Sequence, residues 1–346
     1  MTDQHTDDAR AGDARAGDAR AGDDGAGADP GDARPPWGIP IRSRRPRPLR
    51  GPTRGSRALL LVGHGSRCQI SEAEMQTIGD RVSDAVPGVM VDVGFLEMTD
   101  PPAGVVLDDL VVRGAEEIVV LPLVLLGAGH AKNDVPAVVV EGRRRHPGVR
   151  LSFGSPLGVT RPLVSHLGDA VLARGGQGLP LLVVARGTSD PDANGEACKA
   201  ARLVGEWTGS PFVMTGFTGV TGPSVPEAAD IMARLGHGRV AVAWWFLCHG
   251  KLIERGRRDL AEFAERTGTE VLDVGHLGPQ ADLVPLILER FGQAQAGTPV
   301  VNCDTCTYRA AWPGLEDRVG QAVGVGHSHL AEEHRHSGGT TEHHHH

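Results

Sequence analysis

Between Arg57 and Phe291 the chain alternates short, almost wholly apolar runs with longer amphipathic stretches, and this alternation restricts the fold more than any other feature. The apolar runs are ALLLVG (58–63), VMVDVGFLE (89–97), EIVVLPLVLL (117–126), VRLSFG (149–154), LPLLVVARG (179–187), PFVMTGF (211–217), RVAVAWWFL (239–247) and VLDV (271–274). Helix-like stretches separate them: SEAEMQTIGDRVSDAV (71–86), PPAGVVLDDLVVRG (101–114), NDVPAVVVEGRRRH (133–146), and then 192–207, 223–235, 252–266 and 279–291. Strands this apolar have no face left for water, so they predict a parallel sheet covered by helices on both sides. The class is α/β.

The plan is also duplicated. Gly63-His64-Gly65-Ser66 lies 122 residues before Ala185-Arg186-Gly187-Thr188, and the same offset relates Phe95 to Phe217 and Asp100-Pro101 to Gly222-Pro223. Gly129-His130 matches Gly250-Lys251 at an offset of 121. Two similar Rossmann-like or flavodoxin-like domains are therefore expected, over 57–160 and 178–295, facing one another across a cleft where ligands usually sit. The flanks read differently. Residues 1–56 hold three successive copies of DARAG and too little apolar area to offset ordering, and 296–346 hold a cysteine pair and a His-rich tail, so both ends are expected to be disordered.

Charge and composition narrow the function classes. A formal net charge of −8 argues against a nucleic-acid partner, and the Arg-rich run over 34–54 is most simply a disordered leader. No stretch approaches twenty apolar residues, and MTDQHTDDAR lacks the layout of a signal peptide, so a cytoplasmic protein without a membrane partner is expected, as a monomer or homodimer. Five irregularly spaced cysteines do not make a disulfide framework.

The chemistry gathers at one edge. His64 follows the first strand between two glycines, Glu97 ends the second, and His130 is expected at the end of the third, so three strands of one half deliver a His/Glu/His set to the rim where open α/β sheets bind ligands. Such a set suits a divalent first-row metal such as Co2+ or Fe2+ and leaves coordination positions open. The second half carries Arg186, Gly219 and Lys251 at the matching places, so one copy is expected to hold metal and the other an anion.

With these motifs the sequence resembles the class II metallochelatases that insert a divalent metal into sirohydrochlorin, in particular the long CbiX-type cobaltochelatases. The resemblance covers about 57–310 and rests on LLLVGHGSR, GFLEMTDPP and LPLVLLGAGHAKNDVP, with a degenerate second set in ARGTSDP, GFTGVTGPSVPE and FLCHGKLIERGRRDL. It implies that His64 and His130 are the metal-binding and proton-accepting pair, assisted by Glu97, in an enzyme inserting Co2+ for cobalamin biosynthesis. Insertion of Fe2+ for sirohaem is the alternative, and a storage or chaperone protein without turnover the weaker one. Metal insertion removes two pyrrole protons, work an unprotonated imidazole can do near neutral pH. Arg67, Lys132, Arg186, Lys251 and Arg255 are candidates to pair with the carboxylates of sirohydrochlorin.

Two features lie beyond the paired halves. Cys303 and Cys306 have C-x-x-C spacing, half of a four-ligand site, and the resemblance implies a 4Fe–4S cluster there, completed by Cys248, another ligand or a second chain. The tail carries His327, His329, His334 and His336 before four terminal histidines, which are either native or the remnant of a tag, and it is expected to bind metal loosely.

Overall fold

In the computed structural model residues 56–300 and 305–321 are described. The expected leader up to Gly55 lies outside them, as do Cys303 and the tail histidines His327, His329, His334 and His336.

The first sheet is built from β1 (Ser56–Gly63), β2 (Val89–Phe95), β3 (Ala115–Pro122) and β4 (Arg150–Phe153), in the order β2-β1-β3-β4. The second repeats it with β5 (Leu181–Ala185), β6 (Val213–Phe217), β7 (Arg239–Trp244) and β8 (Glu270–His276), in the order β6-β5-β7-β8. Every pairing is parallel. Parallel neighbours need crossovers, and helices supply them: α1 (Gln69–Ala85), α2 (Ala103–Val112), α3 (Val135–Arg145) and α4 (Arg161–Ala173) after the first four strands, α5 (Pro191–Thr208), α6 (Val225–Arg234), α7 (Lys251–Thr267) and α8 (Leu283–Gln295) after the others. The expected duplicated α/β architecture is borne out.

Period two explains the double covering. Leu59 and Leu61 of β1 enter one apolar cluster, whereas Ala58, Leu60 and Val62 enter another beneath α2 and α3. In β5, Leu181 and Val183 likewise oppose Leu182 and Val184. The strands are buried on both faces, each large side chain contributing about 2 kcal/mol.

The helix α4 went unread in the sequence, although Leu163, Val164, Leu167 and Val171 have helical spacing and Pro162 sits in its first turn. It does not return to its own sheet. It packs on α5, β7 and β8 of the second lobe, while α8 crosses back to cover β3 and β4 and to touch α1. The exchange merges the inner faces of both sheets into one core, in which Ile78 and Leu121 share a cluster with Leu167, Val183 and Ile287. No helix among the described residues is long and apolar enough to cross a membrane.

Candidate metal centre

The switch in strand order between β1 and β3 opens a crevice at the carboxyl edge of the first sheet, and His64 is the first residue beyond β1 there. Its neighbour Gly65 has φ +98°, and a Cβ at that position would stand 1.7 Å from the Glu97 carbonyl oxygen. Only glycine lets the two loops meet so closely. The contact is fastened by Glu97 N–H donating to the His64 carbonyl at 3.0 Å, by Ser66 N–H donating to Thr99 Oγ1 at 2.8 Å, and by Thr99 Oγ1 donating to the Ser66 carbonyl at 2.8 Å.

The third candidate residue arrives differently from expectation. β3 stops at Pro122, not Leu126, and His130 opens a π-helical turn, His130–Asp134, that runs into α3. Such turns re-aim side chains at functional sites. The His64 and His130 rings lie edge to face, 4.2 Å between centroids, and His64 Nε2 is 3.1 Å from Glu97 Oε1. One ligand atom from each of His64, Glu97 and His130 fits within 4.8 Å of the others, the single such group of His, Cys, Asp or Glu among the described residues. All three are half-buried.

Burial and neighbouring charge keep an imidazole nitrogen free of its proton. Burial, then the charges of His130 and Arg186, lower His64 to about 4 against the opposing Gly65 carbonyl and Glu97, so its imidazole is unprotonated near neutral pH. Asp134 Oδ2 lies 2.6 Å from His130 Nδ1, which directs Nε2 of that ring toward the group. Asp134 was missed in the sequence; the signal was its i,i+4 spacing from His130. An open cleft beside the site is lined by His64, Ser66 and Thr99 of the first lobe and by Leu247 and Cys248 of the second.

One expected substrate contact takes another place. Lys132 is turned away from the cleft: its ammonium is 2.8 Å from Asp190 Oδ2 and 3.1 Å from Asp192 Oδ2, with 6% of the side chain exposed, so it joins the lobes and is not available to a substrate carboxylate. Arg255 donates to the Thr218 carbonyl while remaining exposed. Arg67 is exposed on the loop after β1, Lys251 is exposed at the start of α7, and Arg186, after β5, reaches His64.

The expected iron–sulfur cluster is overturned. Among the described residues Cys68, Cys198, Cys248 and Cys306 are free and stand on separate segments, and none joins a metal-binding group. Cys306 is buried, and Cys248 is a poor thiolate donor because burial, then Glu74 and Cys68, pushes its thiol well above its ordinary value. The one metal-capable grouping among the described residues is made of nitrogen and oxygen donors.

The CbiX family profile matches residues 58–173 and 180–294, one copy on each half of the duplication. The chain belongs to the CbiX family. It is 33% identical over 261 residues to the sirohydrochlorin cobaltochelatase of Priestia megaterium, covering 73% of this chain and 85% of that one. It is 31% identical over 172 residues to the sirohydrochlorin ferrochelatase of Bacillus subtilis, covering 49% and 66%. Among solved structures, SirB from Bacillus subtilis with Fe3+ superposes with a TM-score of 0.63 at 25% identity, over 70% of this chain and 97% of that one. Family membership and the clustered His/Glu/His set make this CbiX-type chain a metal-chelating lyase of the class II metallochelatases.

Proposed function

We propose that the chain inserts a divalent first-row metal ion into sirohydrochlorin. The observation that carries this reading is the convergence of His64, Glu97 and His130 on one point beside a cleft shared by both lobes. Two imidazoles and a carboxylate bind such an ion through borderline donors and leave positions for the incoming ring. Insertion expels two pyrrole N–H protons, and His64, unprotonated at neutral pH, serves as ligand or base as the ion is handed over. Glu97 supplies negative charge that favours the ion and the protons left behind. Arg67, Arg186, Lys251 and Arg255 then pair with carboxylates of the ring, three of the four cations coming from the second lobe, which carries no His/Glu/His set of its own among the described residues.

The donor set accepts iron as readily as cobalt, so the cobalt preference expected from the sequence has no support in the site itself. The His-rich tail, expected to bind metal loosely, lies outside the described residues. Iron is supported by the Bacillus subtilis ferrochelatase and by the solved relative that holds Fe3+. Cobalt is supported by the Priestia megaterium cobaltochelatase. Anaerobic absorbance of sirohydrochlorin with limiting Fe2+ or Co2+, run beside His64→Ala and His130→Ala, tests the reading: wild type should exceed the uncatalysed rate and both variants should fall to it. A wild type that binds metal yet leaves the spectrum at the uncatalysed rate refutes insertion, and the faster ion assigns the metal.

A further inference from the structure

The nitrogen with which His64 would hold a metal already faces two groups. Nδ1 of His64 lies 3.1 Å from the Gly65 carbonyl oxygen, an acceptor, and in the tautomer that donates there Nε2 keeps the lone pair a metal ion needs. That lone pair stands 3.1 Å from Glu97 Oε1, another acceptor. In that tautomer the two acceptors face each other, and a cation beside them is favourable. Arg186 supplies one: its Nη2 is 3.5 Å from His64 Nε2, reached from the loop after β5 in the other lobe, and its charge also bears on Glu97.

The duplication explains how the cation came to be there. Arg186 occupies the position in the second lobe that His64 occupies in the first. A ligand position in one copy is filled by a cation aimed at the ligand of the other. The side chain is exposed, so it can leave for solvent without unpacking the core.

We infer that Arg186 is a placeholder for the metal ion: its guanidinium attends the His64 lone pair and the Glu97 charge when the ion is absent, is displaced as the ion binds, and returns as the ion leaves. The inference rests on the chelatase reading above and adds a reason for turnover. A transferred ion is a substrate, and a half-buried His/Glu/His site with no competing charge would retain it. Arg186 weakens the hold by repulsion and by competition, and once displaced it becomes available to a carboxylate of the incoming ring.

The test is Co2+ affinity and release without any tetrapyrrole, measured on the full chain by competition with a chromophoric chelator. The variants are Arg186→Gln, Arg186→Ala, Arg186→Lys and His64→Ala. Because the displaced side chain relaxes into solvent, only part of the Coulomb repulsion is recovered, and Arg186→Gln and Arg186→Ala should each bind Co2+ about tenfold tighter and release it correspondingly slower. Arg186→Lys, which keeps the charge, should stay near wild type. Equal or weaker binding in both neutral variants, with one Co2+ still bound per chain, overturns the placeholder. Wild-type binding that His64→Ala leaves unchanged overturns instead the metal site on which the inference stands.

Discussion

Replacing Lys132 by methionine would remove the cation from a buried triad that ties the two lobes together. Lys132 is 6% exposed, and its partners Asp190 and Asp192 are 2% and 11% exposed, so losing the ammonium strands two carboxylates in a poorly solvated junction. Asp190 also caps α5 by accepting from Asp192 N–H at 3.1 Å, so it cannot turn away without loosening that helix, and Asp192 Oδ1 accepts from Thr305 Oγ1 at 2.6 Å. Removing one partner of a buried pair costs about 3–5 kcal/mol. At about 2–4 °C per kcal/mol for a fold of this size, Tm should fall by about 6–20 °C. Calorimetry or urea unfolding would measure the loss, and Lys132→Met combined with Asp190→Asn should recover part of it, because asparagine still caps the helix. The pH dependence has a definite sign. Burial alone would lower Lys132, but hydrogen bonds and charge from Asp190 and Asp192 outweigh it and raise the ammonium above its ordinary value of 10.5. The contribution is therefore fully present below 10.5 and is lost as pH rises through the folded-state value, so wild type should show an alkaline loss of stability that Lys132→Met lacks. A variant within about 1 kcal/mol of wild type would refute this account of the junction, since that is what an exposed pair is worth.

Two further outcomes follow from the proposed metal centre. Gly65→Ala places a Cβ 1.7 Å from the Glu97 carbonyl oxygen at φ +98°, so the variant should lose at least about 2 kcal/mol in thermal unfolding and should bind Co2+ poorly because Glu97 is pushed away; a variant that melts and titrates like wild type would show that the two loops do not depend on this contact. Asp134→Ala removes the carboxylate 2.6 Å from His130 Nδ1 and should weaken Co2+ binding about 10–100-fold, measured by chelator competition, and unchanged affinity would mean that the ring is oriented by packing alone.

What could be read from the chain alone was set by local and periodic physics. Strands apolar on both faces, such as Leu59 to Val62, require a covered parallel sheet, and repetition at 122 residues requires that cover twice. His64 and Glu97 were legible as partners because each stands just beyond the end of a strand, at one edge. Tertiary structure decided the rest. His130 reaches the group through a π-helical turn eight residues beyond β3, which strand periodicity does not record. Lys132 faces Asp190 and Asp192, and Arg186 faces His64, because the lobes close on one another, and no spacing along the chain reports which charges a closure will pair. The exchange of α4 and α8 between the sheets is of the same kind: their apolar stripes require burial, but an apolar stripe carries no address, and only the packing of the two lobes settles which sheet it covers.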